Sequence, residues 1–179
     1  MATAIRAIRS KIRSVGNIKK ITKAMEMVSA SKMRKAVSRA LAGREYINRL
    51  AELASRITLD EAPRAAIAGR TLVVLIQTNK GLCGGFNLAN GKAALQVCRE
   101  IGTDSVDFVT IGRSAENFAR TLGRDIKASF ASLPEDISIT DVYPLSQLLL
   151  GEFQAGEYQQ VLCVYNSFIS ALSYQSTVK

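Results

Sequence analysis

Between Thr3 and Ile57 the chain contains no proline and only two glycines, Gly16 and Gly43. Its apolar residues there fall at Ile5, Ile8, Ile12, Val15, Ile18, Ile21, Met25 and Val28. Those steps of three and four are the spacing of a coiled-coil seam. The stripe resumes at Met33, Val37, Leu41, Ile47, Leu50, Leu53 and Ile57, with alanines between. A helix of this extent is about 80 Å long at 1.5 Å per residue. A domain built from the remaining residues is only about 30 Å across. Most of the helix is therefore expected to project beyond its own domain, with a seam that needs another helix or another protein to cover it.

Charge divides the chain at the same place. Up to Ile57 there are fourteen Lys or Arg against three acids; from Thr58 onward there are ten against twelve. The face opposite the seam carries Arg6, Arg9, Lys11, Arg13, Lys19, Lys20, Lys23, Lys32, Arg34, Lys35 and Arg39. A solvated coiled-coil exterior is the plainest reading of such a run. Binding to nucleic-acid phosphates is an alternative, but the helix lacks the Asn and Arg clustering of base readout. An interfacial lipid helix is disfavoured because the apolar stripe is narrow and has no Trp or Phe. A further reading is a shaft turning in an acidic bearing.

Several function classes are removed by what is missing. The 179 residues include no His and no Trp, so Ser–His and Cys–His nucleophile pairs and the commonest zinc ligand are unavailable. Cys83, Cys98 and Cys163 are odd in number and widely spaced, which suits a reducing compartment and small core hydrophobes better than a disulfide framework or a metal site. No run of about eighteen apolar residues is present, so no transmembrane helix is expected. The start, MATAIRAIRSKIRS, lacks the apolar region of a secretory signal, although it is Arg-rich and acid-poor as transit peptides are.

A linker over 58–69, containing Pro63, leads to a remainder at 70–179 that alternates strand and helix signals. Thr71–Thr78 is a continuous apolar run and reads as a buried parallel strand. A helix follows over Asn87–Ile101, a strand over Val106–Ile111, and a helix over Ser114–Leu122 with Ser114 as its N-cap. Thr140–Ala155 reads as a helix with Pro144 in its first turn, Gln159–Tyr165 as a third strand, and Ser167–Val178 as a further strand or hairpin arm. The fold class is α/β: a long N-terminal coiled-coil helix plus a small domain with a mostly parallel sheet.

Between the first strand and its helix lies Asn79–Asn87, NKGLCGGFN, at the sheet edge where α/β folds bind ligands. It matches neither G-x-x-x-x-G-K-[ST] nor G-x-G-x-x-G, so a structural turn or a protein-contact loop is favoured over a nucleotide site. Cys83 near the helix start is not expected to be catalytic, with no His available to pair with it.

Two stretches go beyond pattern. Ile8–Lys35, and within it Lys20–Met27 (KITKAMEM) and Ala30–Lys35 (ASKMRK), resembles the N-terminal helix of the gamma-subunit family of F-type ATP synthases. Gly81–Asn87 (GLCGGFN) is similar to that family's glycine loop, in the right order, with looser similarity extending to Val164–Phe168 (VYNSF). The resemblance implies a rotor without catalytic residues, metal or cofactor, working inside a ring of alpha and beta subunits whose beta members hold the catalytic sites. The α/β domain would sit against the epsilon subunit and the membrane c-ring. Association with the membrane would be indirect, on the cytoplasmic side of a bacterial inner membrane, with no nucleic acid bound. By position, Lys20, Lys23, Met25, Glu26, Lys32 and Arg34 would face the alpha/beta ring, while Ile5, Ile8, Ile12, Val15, Ile18, Ile21 and Val28 would form the seam. Gly81, Cys83, Gly84 and Gly85 would make the glycine-loop contact.

The match also sets expectations about extent. The family helix starts a few residues after Met1, which implies no presequence. Family chains continue past the position of Lys179 into a C-terminal helix, the natural partner of the seam, and that helix is expected to be absent here. The family's usual acidic residue before the glycine loop is Asn79 in this chain.

Overall fold

A run of 55 residues with no proline and strong helix formers at most exposed positions propagates as one α-helix, α1, Ala2–Arg56. The structure, a computed structural model, describes residues 2–56, 69–131, 133–134 and 136–179. Ile57 and nearly all of the expected 58–69 linker fall outside the described residues. Along α1, ion pairs one turn apart join Lys23 to Glu26 (3.0 Å) and Arg49 to Glu45 (2.6 Å). Exposed pairs of this kind contribute a few tenths of a kcal/mol each. The seam is bare. Ile5, Ile8, Ile12, Val15, Ile18, Ile21, Met25 and Val28 are between 52% and 66% exposed.

The chain divides into two compact units, Met1–Glu61 and Ala62–Lys179. In the second, β1 (Thr71–Ile76) and β2 (Val106–Ile111) are buried on both faces, as central parallel strands must be; β1 is apolar after Thr71, and β2 carries a buried Asp107 and Thr110 among its apolar residues. The other elements are α2 (Phe86–Ile101), α3 (Arg113–Thr121), β3 (Ile126–Phe130), α4 (Ile139–Gln154), β4 (Gln160–Ser170) and β5 (Ser173–Val178), with a 3-10 turn at Thr103–Ser105. The sheet order is β3-β2-β1-β4-β5. β1 pairs in parallel with β2 and β4, β2 in parallel with β3, and β5 closes the sheet antiparallel to β4.

Two cores flank the sheet. Val73, Leu75, Val106 and Phe108 pack on one face against Ala94, Val97 and Cys98 of α2 and Ala115 and Ala119 of α3. Leu72, Val74 and Val109 pack on the other face against Leu145 of α4 and Tyr158. The chain therefore steps from β1 outward to β3 with its helices on one side. It then crosses back over α4 to lay β4 beside β1.

Four local expectations are corrected. β3 carries no strand expectation in the sequence: IKASF is short, and its edge position leaves Lys127 and Ser129 exposed. A register shift there sets Ile126 against Phe108 but Ala128 against Val109, a β-bulge at Lys127. Ser114 is not the N-cap of α3; that place belongs to Gly112, whose φ of 93° suits glycine. Pro144 lies in the second turn of α4, because the helix starts at Ile139 after a cap at Ser138. β4 runs on to Ser170, so the break expected after Tyr165 is absent and the hairpin turn falls at Ala171–Leu172.

Candidate functional site

The glycine loop is held by a polar lattice centred on Asn87, the second residue of α2. The Asn87 amide nitrogen donates to Thr78 Oγ1 (2.7 Å) and Ser114 Oγ (3.1 Å), with Cys83 Sγ at 3.4 Å. Asn87 Oδ1 accepts from the Thr78 backbone N–H (3.2 Å), and its carbonyl from Gln77 Nε2 (3.0 Å). Thr78 Oγ1 donates to the carbonyl of Lys80 (2.7 Å). The Arg113 backbone N–H donates to Asn79 Oδ1 (3.1 Å), and that of Ser114 to the Thr78 carbonyl (3.1 Å). Asn79 thus ties the loop to the start of α3.

Glycine is required at two points, one in the loop and one at the start of α3. Gly84 has φ of 57°. At Gly112 a Cβ would stand 2.2 Å from the carbonyl oxygen of Gln77. The left-handed region is also occupied by Leu82, at φ 63°, where a bulky residue is strained. Leu82 is 98% exposed. The lattice therefore spends its polar groups on itself and presents an apolar tip.

At the point where a doubly wound sheet reverses its strand order, here between β1 and β4, a crevice ordinarily receives the ligand. In this domain the β4–β5 hairpin occupies that position. Asn166 Nδ2 donates to the Phe86 carbonyl (2.9 Å), and Ser176 Oγ donates to Asn166 Oδ1 (2.8 Å). The rings of Phe86 and Tyr174 meet edge to face at 4.9 Å. Asn166 lies within the VYNSF stretch, but nothing in the sequence placed it, or Tyr174, against the loop.

Of the residues predicted for the glycine-loop contact, Gly81, Gly84 and Gly85 are exposed and Cys83 is half-buried against the lattice. Burial pushes the thiols of Cys98 and Cys163 up from the usual range, so both stay neutral and behave as core hydrophobes. Among the described residues no group of three His, Cys, Asp or Glu is placed to hold a metal ion.

On α1, Lys20, Lys23, Met25, Glu26, Lys32 and Arg34 are all exposed. They do not share one face. At about 100° per residue, Lys20, Lys23 and Arg34 lie within about 60° of one another, while Met25 and Lys32 lie together on the far side. The seam winds as well: its steps of three outnumber its steps of four, so it turns around a straight helix by about 220° between Ile5 and Val28. Among the described residues no helix is long and apolar enough to cross a membrane.

A long single helix with an uncovered seam, joined in sequence to a small α/β domain whose ligand crevice is plugged, defines a class of interaction protein. The comparisons make the class specific. The family model described as "ATP synthase" matches residues 4–179. The ATP synthase gamma chain of Desulfitobacterium hafniense is 34% identical over 99% of this chain and 64% of its own length. That of Akkermansia muciniphila is 34% identical over 94% of this chain and 58% of its own length. Among solved structures, a chain of the central stalk and c-ring of the Tetrahymena thermophila mitochondrial ATP synthase matches with a TM-score of 0.73 at 25% identity, over 89% of this chain and 70% of that one. A chain of the Euglena gracilis mitochondrial ATP synthase rotor shares the fold, with a TM-score of 0.64 at 17% identity over 100% of this chain and 63% of that one. The chain belongs to the ATP synthase gamma-chain family, and it spans about three fifths of the length of the curated relatives it matches.

Proposed function

We propose that this chain is the central-stalk rotor subunit of a proton-translocating F-type ATP synthase, a non-catalytic part that couples proton flow to ATP synthesis on the alpha/beta ring. The observation that carries this reading is α1: one helix of 55 residues with its apolar seam exposed from Ile5 to Val28, in a chain matched by the family from residue 4 onward. A seam of that kind works only when covered. The relatives and structures named above are all ATP synthase chains, and none speaks for the nucleic-acid alternative.

In this reading the beta subunits hold the catalytic sites, and α1 lies inside the ring. Lys20, Lys23 and Arg34 meet acidic partner surface, since complementary charge sets register and association rate more than raw affinity. Met25 and Lys32, on the other side of the helix, meet a different neighbour. Glu26 already has an internal partner in Lys23. The loop Gly81–Gly85 makes a second contact through Leu82, whose exposed side chain on a hydrogen-bonded frame suits an anchor. Epsilon and the c-ring are the partners of the α/β domain. The complex places the chain at the cytoplasmic face of a bacterial inner membrane.

The test is reconstitution. The chain is mixed with alpha, beta and epsilon subunits and with the part of the gamma relatives that it does not span, supplied separately. Co-purification as one complex with ATP hydrolysis is expected. Failure to co-purify with that part present overturns the reading.

A further inference from the structure

At the opposite end of the strands from the glycine loop, three parts of the chain meet at one carboxylate. Asp107, the second residue of β2, has its side chain only 3% exposed. Arg70, the residue that leads into β1, donates from Nη2 to Asp107 Oδ1 (2.7 Å). Tyr158, just ahead of β4, donates its hydroxyl to Asp107 Oδ2 (2.6 Å). The backbone repeats the connection: the Gln159 N–H donates to the Arg70 carbonyl (2.9 Å), and Gln160 Nε2 donates to Thr71 Oγ1 (3.0 Å). The β3 bulge brings Lys127 into the same cluster, with Nζ 5.6 Å from the centre of the Tyr158 ring and 3.6 Å from Glu152 Oε2 of α4. Four strand entries and α4 are thus bound into a collar.

Packing alone does not call for this collar. The Arg70 side chain is 46% exposed against 3% for Asp107, and an ion pair so placed is a weak contributor to stability that apolar residues of similar volume often match. Its position is the informative feature. Arg70 is where the backbone coming from the other compact unit enters the central strand. A force carried along that backbone meets β1 first at Arg70. With the collar, the same force is shared at once with β2 and β4, before it reaches the first ladder bonds of β1.

We infer that the Arg70–Asp107–Tyr158 collar is the fixture through which mechanical force passes between the backbone preceding β1 and the sheet, and that these three are positioning residues for torque transfer. This inference rests on the rotor reading above.

The test uses the assembled, membrane-bound complex and compares the parent with a triple variant, Arg70→Met, Asp107→Leu and Tyr158→Phe, which removes the polar cluster without stranding a buried charge. ATP-driven proton pumping per ATP hydrolysed is measured at increasing opposing membrane potential. The expected result is a ratio near the parent's at low opposing potential that falls at least twofold as the potential rises. A ratio that tracks the parent's at every potential overturns the inference, as does a deficit independent of potential. Should the triple variant not assemble, Tyr158→Phe alone removes a single oxygen and is read in the same way: a smaller fall that grows with potential supports the collar, and none overturns it. A parent chain that does not enter the complex, or enters it without driving pumping, refutes the rotor reading itself; a defect confined to the variants leaves that reading standing.

Discussion

The two units of this chain use the same kinds of residue under opposite conditions. In the α/β domain, isoleucine, leucine and valine are covered within the unit: Leu72, Val73, Val74 and Leu75 lose all but a trace of their exposure to α2, α3 and α4. Along the α1 seam from Ile5 to Val28 the isoleucines and valines stay more than half exposed. The domain carries its own stability, since each large buried side chain is worth about 1.5–3 kcal/mol relative to exposure. The helix has only propensity and weak surface pairs until something covers the seam. An amphipathic pattern therefore says that a cover exists, while the structure says whether the cover lies within the same unit.

A matched pair of truncations is the strongest way to break this contrast. Phe108→Ala in the fully buried core should cost about 3–5 kcal/mol, read as a drop in the urea midpoint. Ile12→Ala on α1 should change the same transition by less than about 0.5 kcal/mol, as exposed sites do. An Ile12→Ala loss comparable to that of Phe108→Ala would mean that the seam is already covered.

Glycine sharpens the comparison next. Gly112→Ala drives a Cβ against the Gln77 carbonyl at positive φ and should destabilise the domain by about 2 kcal/mol or more. Gly16→Ala, with nothing within 4 Å of the new carbon, should stabilise the helix by about 1 kcal/mol. Hydrogen exchange resolved by segment tests both: slower in α1 for one variant, faster around β1 and β2 for the other. The same sign in both would contradict the contrast.

The smallest effect is a pH dependence at the start of α4. The Ser138 hydroxyl and backbone N–H both donate to Asp141 (2.6 and 2.8 Å), holding its carboxyl below the ordinary range. A lowered folded value means a contribution that is complete above the unfolded carboxylate range and drains away as pH falls through the folded value. Parent and Asp141→Asn should thus differ in Tm at neutral pH and converge in acid. A gap that persists in acid would exclude the Asp141 charge as its source.

What was legible in the sequence follows from how each signal is encoded. α1, β1 and β2 were readable because long periodicity and mostly apolar strand runs survive any tertiary context. β3 was not, since a five-residue edge strand buries too little to leave a run. Its bulge further breaks the alternation of Ile126, Ala128 and Phe130 between the two cores. Ser114 carries the signature of a cap, yet its hydroxyl accepts from Asn87, a partner 27 residues away that no local rule indicates. The glycine loop was recognised by its letters, but its hydrogen-bonded frame and the packing beside it come from Asn87, Asn166 and Tyr174, which only the folded sheet brings together. The six contact residues expected on α1 follow from position in the family resemblance, and helical geometry separates Met25 and Lys32 from Lys20, Lys23 and Arg34.

The winding of the seam has a kinematic consequence. A hydrophobic line that circles its rod is a screw thread. Viewed by a stationary neighbour, a thread that completes about 220° over about 35 Å moves its point of contact about 19 Å up or down the axis for each third of a revolution. In the proposed rotor, spin would thereby become apparent axial travel, and neighbours at different heights along the helix would meet the greasy line at different moments of the same turn.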